Sequence, residues 1–274
     1  MPAQNDKRLK LTIYVLLIVY ILNFLDRQIV GILAQPISKE LHLTDTQIGL
    51  MTGLAFAIFY TGLGIPIARY ADRHSTDRVT VVTACLAVWS AMTALCGAAQ
   101  TFVQLFAARV GVGIGEAGGT PPVHALIAEM ASPEQRASAL SLYQLGPPLG
   151  GLIGMVMGGY LADSIGWRWA FVVVGAPGVV LALLVRAILR DPRRDGDAPV
   201  VQPAAMGLGK AFGHILASRA NRLILIGVAF SAVANFGMLI WGPIYLQRSF
   251  GISAHVTGFW FGLSAQYGLE RKPN

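Results

Sequence analysis

Charge is scarce in this sequence: Asp, Glu, Lys and Arg make up 13% of 274 residues, against 54% hydrophobic. A domain that lives in water needs more polar surface than that, so the composition excludes a soluble protein. With a mean hydropathy of +0.58, the expected solvent is a lipid bilayer. Cysteine is nearly absent. Cys85 and Cys96, if carried on one helix, sit roughly 16 Å apart at 1.5 Å per residue, which excludes a bridge between them. The five histidines, His42, His74, His124, His214 and His255, show no metal-ligand spacing, and none stands beside a nucleophile. No metal, cofactor or catalytic constellation is therefore expected, and the chain is not read as an enzyme. The first apolar run lacks a small-residue cleavage site after it, so it is an anchor and not a removable signal peptide.

Long apolar runs are what the chain has in abundance. Windows of about 20 apolar residues, enough to cross a bilayer core, fall at 11–35, 47–71, 78–100, 102–129, 136–162, 168–190 and 221–247. An eighth begins near residue 256, gives way to SAQYGLERKPN, and reads as incomplete. The expected architecture is an all-α membrane protein: a six-helix bundle over 1–190, a polar linker over 191–218, and a seventh helix with a truncated eighth over 219–274. The end of the linker has the makings of a short amphipathic surface helix.

Lysine and arginine crowd the connections on one side of these spans, including Lys7, Arg8, Lys10, Arg69, Arg73, Arg78, Arg136, Arg186, Arg190, Arg193, Arg194, Lys210, Arg219 and Arg222. The other side holds Lys39, Arg168 and Arg248. The positive-inside rule then puts the N-terminus in the cytoplasm, in the inner membrane if the source is bacterial. This bias explains most of the formal charge of +7, so the basicity is not read as nucleic-acid binding.

Against that background, charges inside spans stand out. Asp26 and Arg27 lie within the first span, Arg109 and Glu116 within the fourth. Each such charge costs roughly 2.5–3.5 kcal/mol at a helix centre in lipid on insertion scales. Counting the rise per residue puts Asp26 and Arg109 at similar depth, so Asp26 pairs with Arg109 or with its neighbour Arg27. Glu116 is expected about two turns nearer the cytoplasm, away from the positive groups, where an isolated carboxyl suits proton exchange. The competing reading is ion pairs that only brace the bundle. Asn23 shares the face of Asp26 and Arg27 and would help solvate either arrangement.

Small residues recur every fourth position at Gly146, Gly150, Gly154 and Gly158, and at Gly49, Gly53 and Ala57. Such stripes allow close helix packing in lipid. Gly146-Pro147-Pro148 should also weaken its helix locally, which a moving protein can use. The sequence Gly113-Ile-Gly115-Glu116-Ala117-Gly118 matches a dinucleotide fingerprint in letters, but that motif has meaning only between a strand and a helix. Inside a span its glycines are expected to form a groove beside Glu116.

Taken in order, several stretches resemble the major facilitator superfamily, most closely its spinster-like branch: NFLDRQIVGIL at 23–33, ARYADR at 68–73, GIGEAGGTPP at 113–122, SPEQRASALS at 132–141, GPPLGGLIG at 146–154, GWRWAFVVVGAPG at 166–178 and DPRR at 191–194. The resemblance implies a twelve-helix fold of two six-helix bundles with a substrate site between them at mid-membrane. It implies substrate binding or proton coupling for Asp26, Arg27 and Glu116, with Arg109 beside them, and gating for Asp72, Arg73 and Arg136. Gly146 and Pro147 join the gating set on their own helix-weakening chemistry. The gate loop departs from the family pattern, since His74, Ser75, Thr76 and Asp77 precede Arg78; an ordinary solvated loop is the alternative there.

The expected function is secondary transport of an organic or lipid-like anion, coupled to protons across the bilayer, with sugar acids and other organic acids as the alternative substrates. A second expectation, from the incomplete eighth span, is a non-transporting fragment, scaffold or sensor, or a chain that meets another supplying the missing bundle.

Overall fold

A computed structural model describes residues 2–73, 75–194 and 208–267 of the chain. Among the described residues the regular structure is entirely helical. Helix α1 (Pro2–Leu41) is long enough to pass through a bilayer and emerge on both sides. The second span is composite. A short α2 (Asp45–Gly49) is started by a capping box in which Thr44 and Gln47 satisfy each other's backbone N–H; a π-helical turn (Leu50–Leu54) follows, and α3 (Ala55–Asp72) continues it. Asp77 caps α4 (Arg78–Cys96) by accepting from the N–H groups of Val79 and Thr80.

The expected fourth span is interrupted. Helix α5 (Phe102–Glu116) stops at Glu116, and α6 (Thr120–Met130) restarts with proline in its first turn. Proline lacks an N–H and is at home there, whereas a continuous helix has no use for it. Helix α7 (Pro133–Tyr143) and α8 (Gly146–Ile188) are likewise separated just before Gly146-Pro147-Pro148. Within α8 the chain turns at Gly166, whose φ of 81° suits glycine alone. Helix α9 (Leu208–Ala217) is the amphipathic element expected at the end of the linker. Helices α10 (Arg219–Phe250) and α11 (Ala254–Tyr267) complete the described chain. The linker's polar part, 195–207, the end of the expected eighth span, 268–274, and His74 lie outside the described residues.

Among the described residues, five continuous stretches are long and apolar enough to cross a membrane: Lys7–Leu41, Asp45–Asp72, Arg78–Cys96, Pro133–Ile188 and Arg219–Phe250. Two facts reconcile these with the seven expected spans. The break after Glu116 leaves helices of 15 and 11 residues in the fourth span. The stretch Pro133–Ile188, 56 residues, holds the fifth and sixth spans on either side of Gly166.

Two apolar clusters fill the bundle. One, at the end where the N-terminus lies, joins Leu9, Ile13 and Val19 of α1 to Trp89 of α4, Val112 of α5 and Val185 of α8. The other, toward the far end, joins Leu25, Ile29 and Ile37 of α1 to Cys96, Leu105, Phe171 and Ile244. The first glycine stripe seats α8 on α1: a Cβ at Gly150 would run into the carbonyl of Ile21, and one at Gly154 would meet the backbone of Leu25. Gly175 and Gly178 do the same against Ser90 and Ala94 of α4, while Gly159 and Gly258 bring α8 and α11 together. The second stripe behaves differently. A Cβ at Gly53 would meet nothing within 4 Å, because that surface faces a cavity.

Candidate functional site

Between the two clusters lies a polar layer. On α1, Asn23 and Asp26 fall between Val19 and Ile29; on α4, Thr93 falls between Trp89 and Cys96; on α5, Arg109 falls between Leu105 and Val112. All four are buried, as is Glu116 at the end of α5. The carboxylate of Asp26 accepts a hydrogen bond from the Thr93 hydroxyl and stands 3.8 Å from Nη1 of Arg109, with side-chain exposures of 3% and 2%. Of the two partners open to Asp26, the packing selects Arg109.

Glu116 is not isolated, contrary to expectation. Its Oε2 accepts from Nε of Arg27 at 2.6 Å. Side chains on a helix lean toward its N-terminus, and the N-terminus of α1 points toward the end of the bundle where α5 finishes. The long Arg27 side chain therefore reaches back to Glu116 across the difference in depth. Asp26, Arg27, Arg109 and Glu116 thus form two adjacent ion pairs with no net charge. Among their buried atoms, one oxygen of Asp26, one of Glu116, and Nε and Nη1 of Arg109 make no hydrogen bond to the protein, nor does the carboxamide oxygen of Asn23.

Beside this layer is a cavity of about 550 Å³ between α1, the π-helical turn with α3, and α10, reached from α5 by Arg109. Of the four charged residues, the two guanidinium-bearing ones line it, and the two carboxylates do not. Arg27 is 18% exposed, against 0% for Glu116. Three rings surround its guanidinium: Phe24, Phe56 and Tyr60, with centroids at 5.1, 4.7 and 4.8 Å. The faces of these rings attract the cation. Phe56 and Tyr60 were not foreseen; aromatic residues four apart in an apolar run carry no signal of their own. The remaining lining is largely apolar and includes Val30, Val233, Phe236, Leu239 and Ile240.

The groove expected beside Glu116 is filled. A Cβ at Gly115 would strike Trp89, and one at Gly118 would strike Ile67 and Cys85, so these glycines serve helix contact. Both cysteines are buried free thiols.

Three of the expected gating residues lie at the surface. Asp72, Arg73 and Arg136 are exposed; Arg136 donates to the carbonyl of Ala131 at 3.3 Å, and Arg73 lies over the ring of Tyr70. The charged network at this end uses other residues. Arg78 pairs with Glu129 at 2.6 Å, and its backbone N–H donates to Asp191 at 2.8 Å. Arg193 pairs with Asp191 at 3.1 Å and donates to the carbonyls of Ala71 and Thr76. Burial disfavours the Asp191 carboxylate, but these hydrogen bonds from Arg193 and Arg78 outweigh it and hold its pKa below the usual range. Gly146, next to Pro147, rests against the ring of Tyr20.

At the far end, Arg248 of α10 pairs with Asp45 at 2.9 Å, and Gln247 donates to the carbonyl of Ile32. The contacts of α10 with the bundle concentrate here, and its first half, from Arg219 through Phe230, is exposed.

A helical membrane bundle with a paired ionic layer facing a cavity is the class that fold and site define. Residues 16–268 match the family pattern of the Major Facilitator Superfamily, and the chain belongs to that superfamily, whose members are integral membrane proteins. It is 38% identical to an MFS-type efflux pump of Mycolicibacterium smegmatis over 91% of this chain and 57% of that protein. It is 26% identical to a D-galactonate transporter of Escherichia coli over 94% of this chain and 64% of the relative. Among solved structures, a bacterial homologue of the human lysosomal transporter Spinster, inward-facing and unoccupied, superimposes with a TM-score of 0.84 at 33% identity, over 94% of this chain and 60% of the other. The chain therefore spans between 57% and 64% of the length of these relatives.

Proposed function

We propose that this chain carries the first bundle and the seventh and eighth helices of a proton-coupled secondary transporter for an organic anion. Residues 1–190 are the bundle, 191–218 the linker, and 219–274 the start of the second wall, with the N-terminus cytoplasmic as the lysine and arginine bias favours. The observation that carries the reading is Arg27, held by buried Glu116 on one side and open to the cavity on the other. An anion entering the cavity competes for that guanidinium. Glu116, losing its partner in a site without exposure, binds a proton in preference to remaining an unpaired buried charge. Anion and proton then cross together. The apolar lining favours an anion with a carbon-rich body over a polyhydroxylated sugar acid. Loosening of the network of Arg78, Glu129, Asp191 and Arg193, with movement of the exposed Asp72, Arg73 and Arg136 and bending at Gly146 and Pro147, accompanies the change of access.

The test is uptake by proteoliposomes under an imposed pH gradient, with a labelled medium-chain carboxylate and labelled D-galactonate as the two anions. Gradient-driven uptake of the first, abolished by Glu116→Gln, is expected. Uptake of neither anion above empty vesicles would overturn the transport reading in favour of a non-transporting membrane protein. Undiminished coupling in Glu116→Gln would remove Glu116 from the mechanism.

A further inference from the structure

Helix α9 has one face that no other part of the described chain explains. Phe212, Ile215 and Leu216, spaced i, i+3 and i+4, lie on one side and are 51%, 44% and 47% exposed. Lys210 and His214, at i and i+4, occupy the other side. None of the three apolar side chains belongs to either core cluster. The depth of α9 is set by connectivity, since a single residue, Ser218, separates it from the membrane-crossing helix α10. The joint is braced: Ser218 caps α10 by accepting from Asn221, and Arg222 reaches back to the carbonyl of Leu216 at 3.4 Å. A helix tied this closely to the mouth of a span lies at the membrane surface.

Charge indicates which surface. From residue 208 to 222 the sequence has Lys210, Arg219 and Arg222 and no acidic residue. Lys210 and Arg219 are exposed. We infer that α9 is an interfacial anchor that immerses Phe212, Ile215 and Leu216 in the bilayer and holds anionic phospholipid headgroups with Lys210 and Arg219. Its occupant is the lipid leaflet and not a protein. The anchor fixes the start of α10, which leans on α1 through its far half, at Leu239, Ile240 and Gln247, so the lipid beneath α9 bears on how α10 is positioned against the cavity.

The experiment uses the whole chain in nanodiscs of phosphatidylcholine, alone or with a third of phosphatidylglycerol. Spin labels on single introduced cysteines at Lys210, Phe212, Gly213, His214, Ile215 and Leu216 report collision with oxygen, which favours lipid, and with a water-soluble nickel chelate. Expected is a helical period, with oxygen dominating at Phe212, Ile215 and Leu216 and nickel at the other three. In the anionic discs the ratio of immersed to solvated label at Phe212 rises about fivefold for each basic residue engaged. Lys210→Gln and Arg219→Gln each remove one such factor, and Arg222 is left intact because it braces the joint. Nickel access all round would overturn the proposal by placing α9 in water. Protection from both reagents would overturn it by showing a protein partner, and immersion indifferent to lipid charge would overturn the anionic preference.

Discussion

Asp26 and Arg109 are the charged pair whose worth is easiest to isolate, because both side chains are almost wholly buried and neither is the one that reaches furthest into the cavity. Removing one partner strands the other, at a cost of about 3–5 kcal/mol, whereas replacing both by uncharged groups of similar size is often close to neutral. Arg109→Met is therefore expected to lower the thermal unfolding midpoint in detergent sharply, and Asp26→Asn with Arg109→Met to recover much of the loss. Equal loss in the single and double variants would mean that the pair contributes by shape and not by charge. At this scale the sequence was informative about which residues matter, since four charges in two apolar spans are conspicuous. It was less informative about Glu116. The pairing at 2.6 Å joins residues 89 apart in the chain, and it depends on the lean of a long side chain on one helix relative to the end of another. Thr93 carried no signal, because a threonine in a span normally bonds its own backbone.

Glycines decide the packing of elements, and the two stripes lead to opposite expectations. Gly150→Ala places a methyl group against the carbonyl of Ile21 and Cβ of Phe24, and overpacking of this kind costs about 1–3 kcal/mol. Gly53→Ala meets nothing and should not destabilise, since alanine in a helical turn is favoured over glycine by about 0.5–1 kcal/mol. Thermal unfolding of the two variants side by side checks the contrast. The spacing of both stripes was plain in the sequence, but spacing reports only that a face is small. What stands opposite that face, α1 in one case and a cavity in the other, is a tertiary fact. The interruption after Glu116 had a local signal in Gly118-Gly119 followed by Pro121-Pro122, which the apolar composition of the run masked.

For the molecule as a whole, Asp191 ties the end of the bundle back to its middle, accepting from Arg78 and Arg193 while Arg193 holds the carbonyls of Ala71 and Thr76. Its folded pKa is depressed, so its contribution to stability is complete above the ordinary aspartate pKa of about 3.9 and disappears as pH falls through the lower folded value. Unfolding midpoints measured from neutral pH down through that range should fall less steeply in Asp191→Asn than in the parent, with the parent the more stable at neutral pH. The solvent, the helical class, the approximate spans and the residues too polar for lipid all follow from composition and from the lengths a bilayer imposes. Tertiary packing alone brings Glu116 to Arg27, encloses that arginine in three rings, and builds the buried network at the N-terminal end from Arg78, Asp191 and Arg193 instead of Asp72 and Arg136. Those choices depend on the rotation and closeness of helices far apart in the chain, which glycine contacts and side-chain reach set, and no local pattern encodes them.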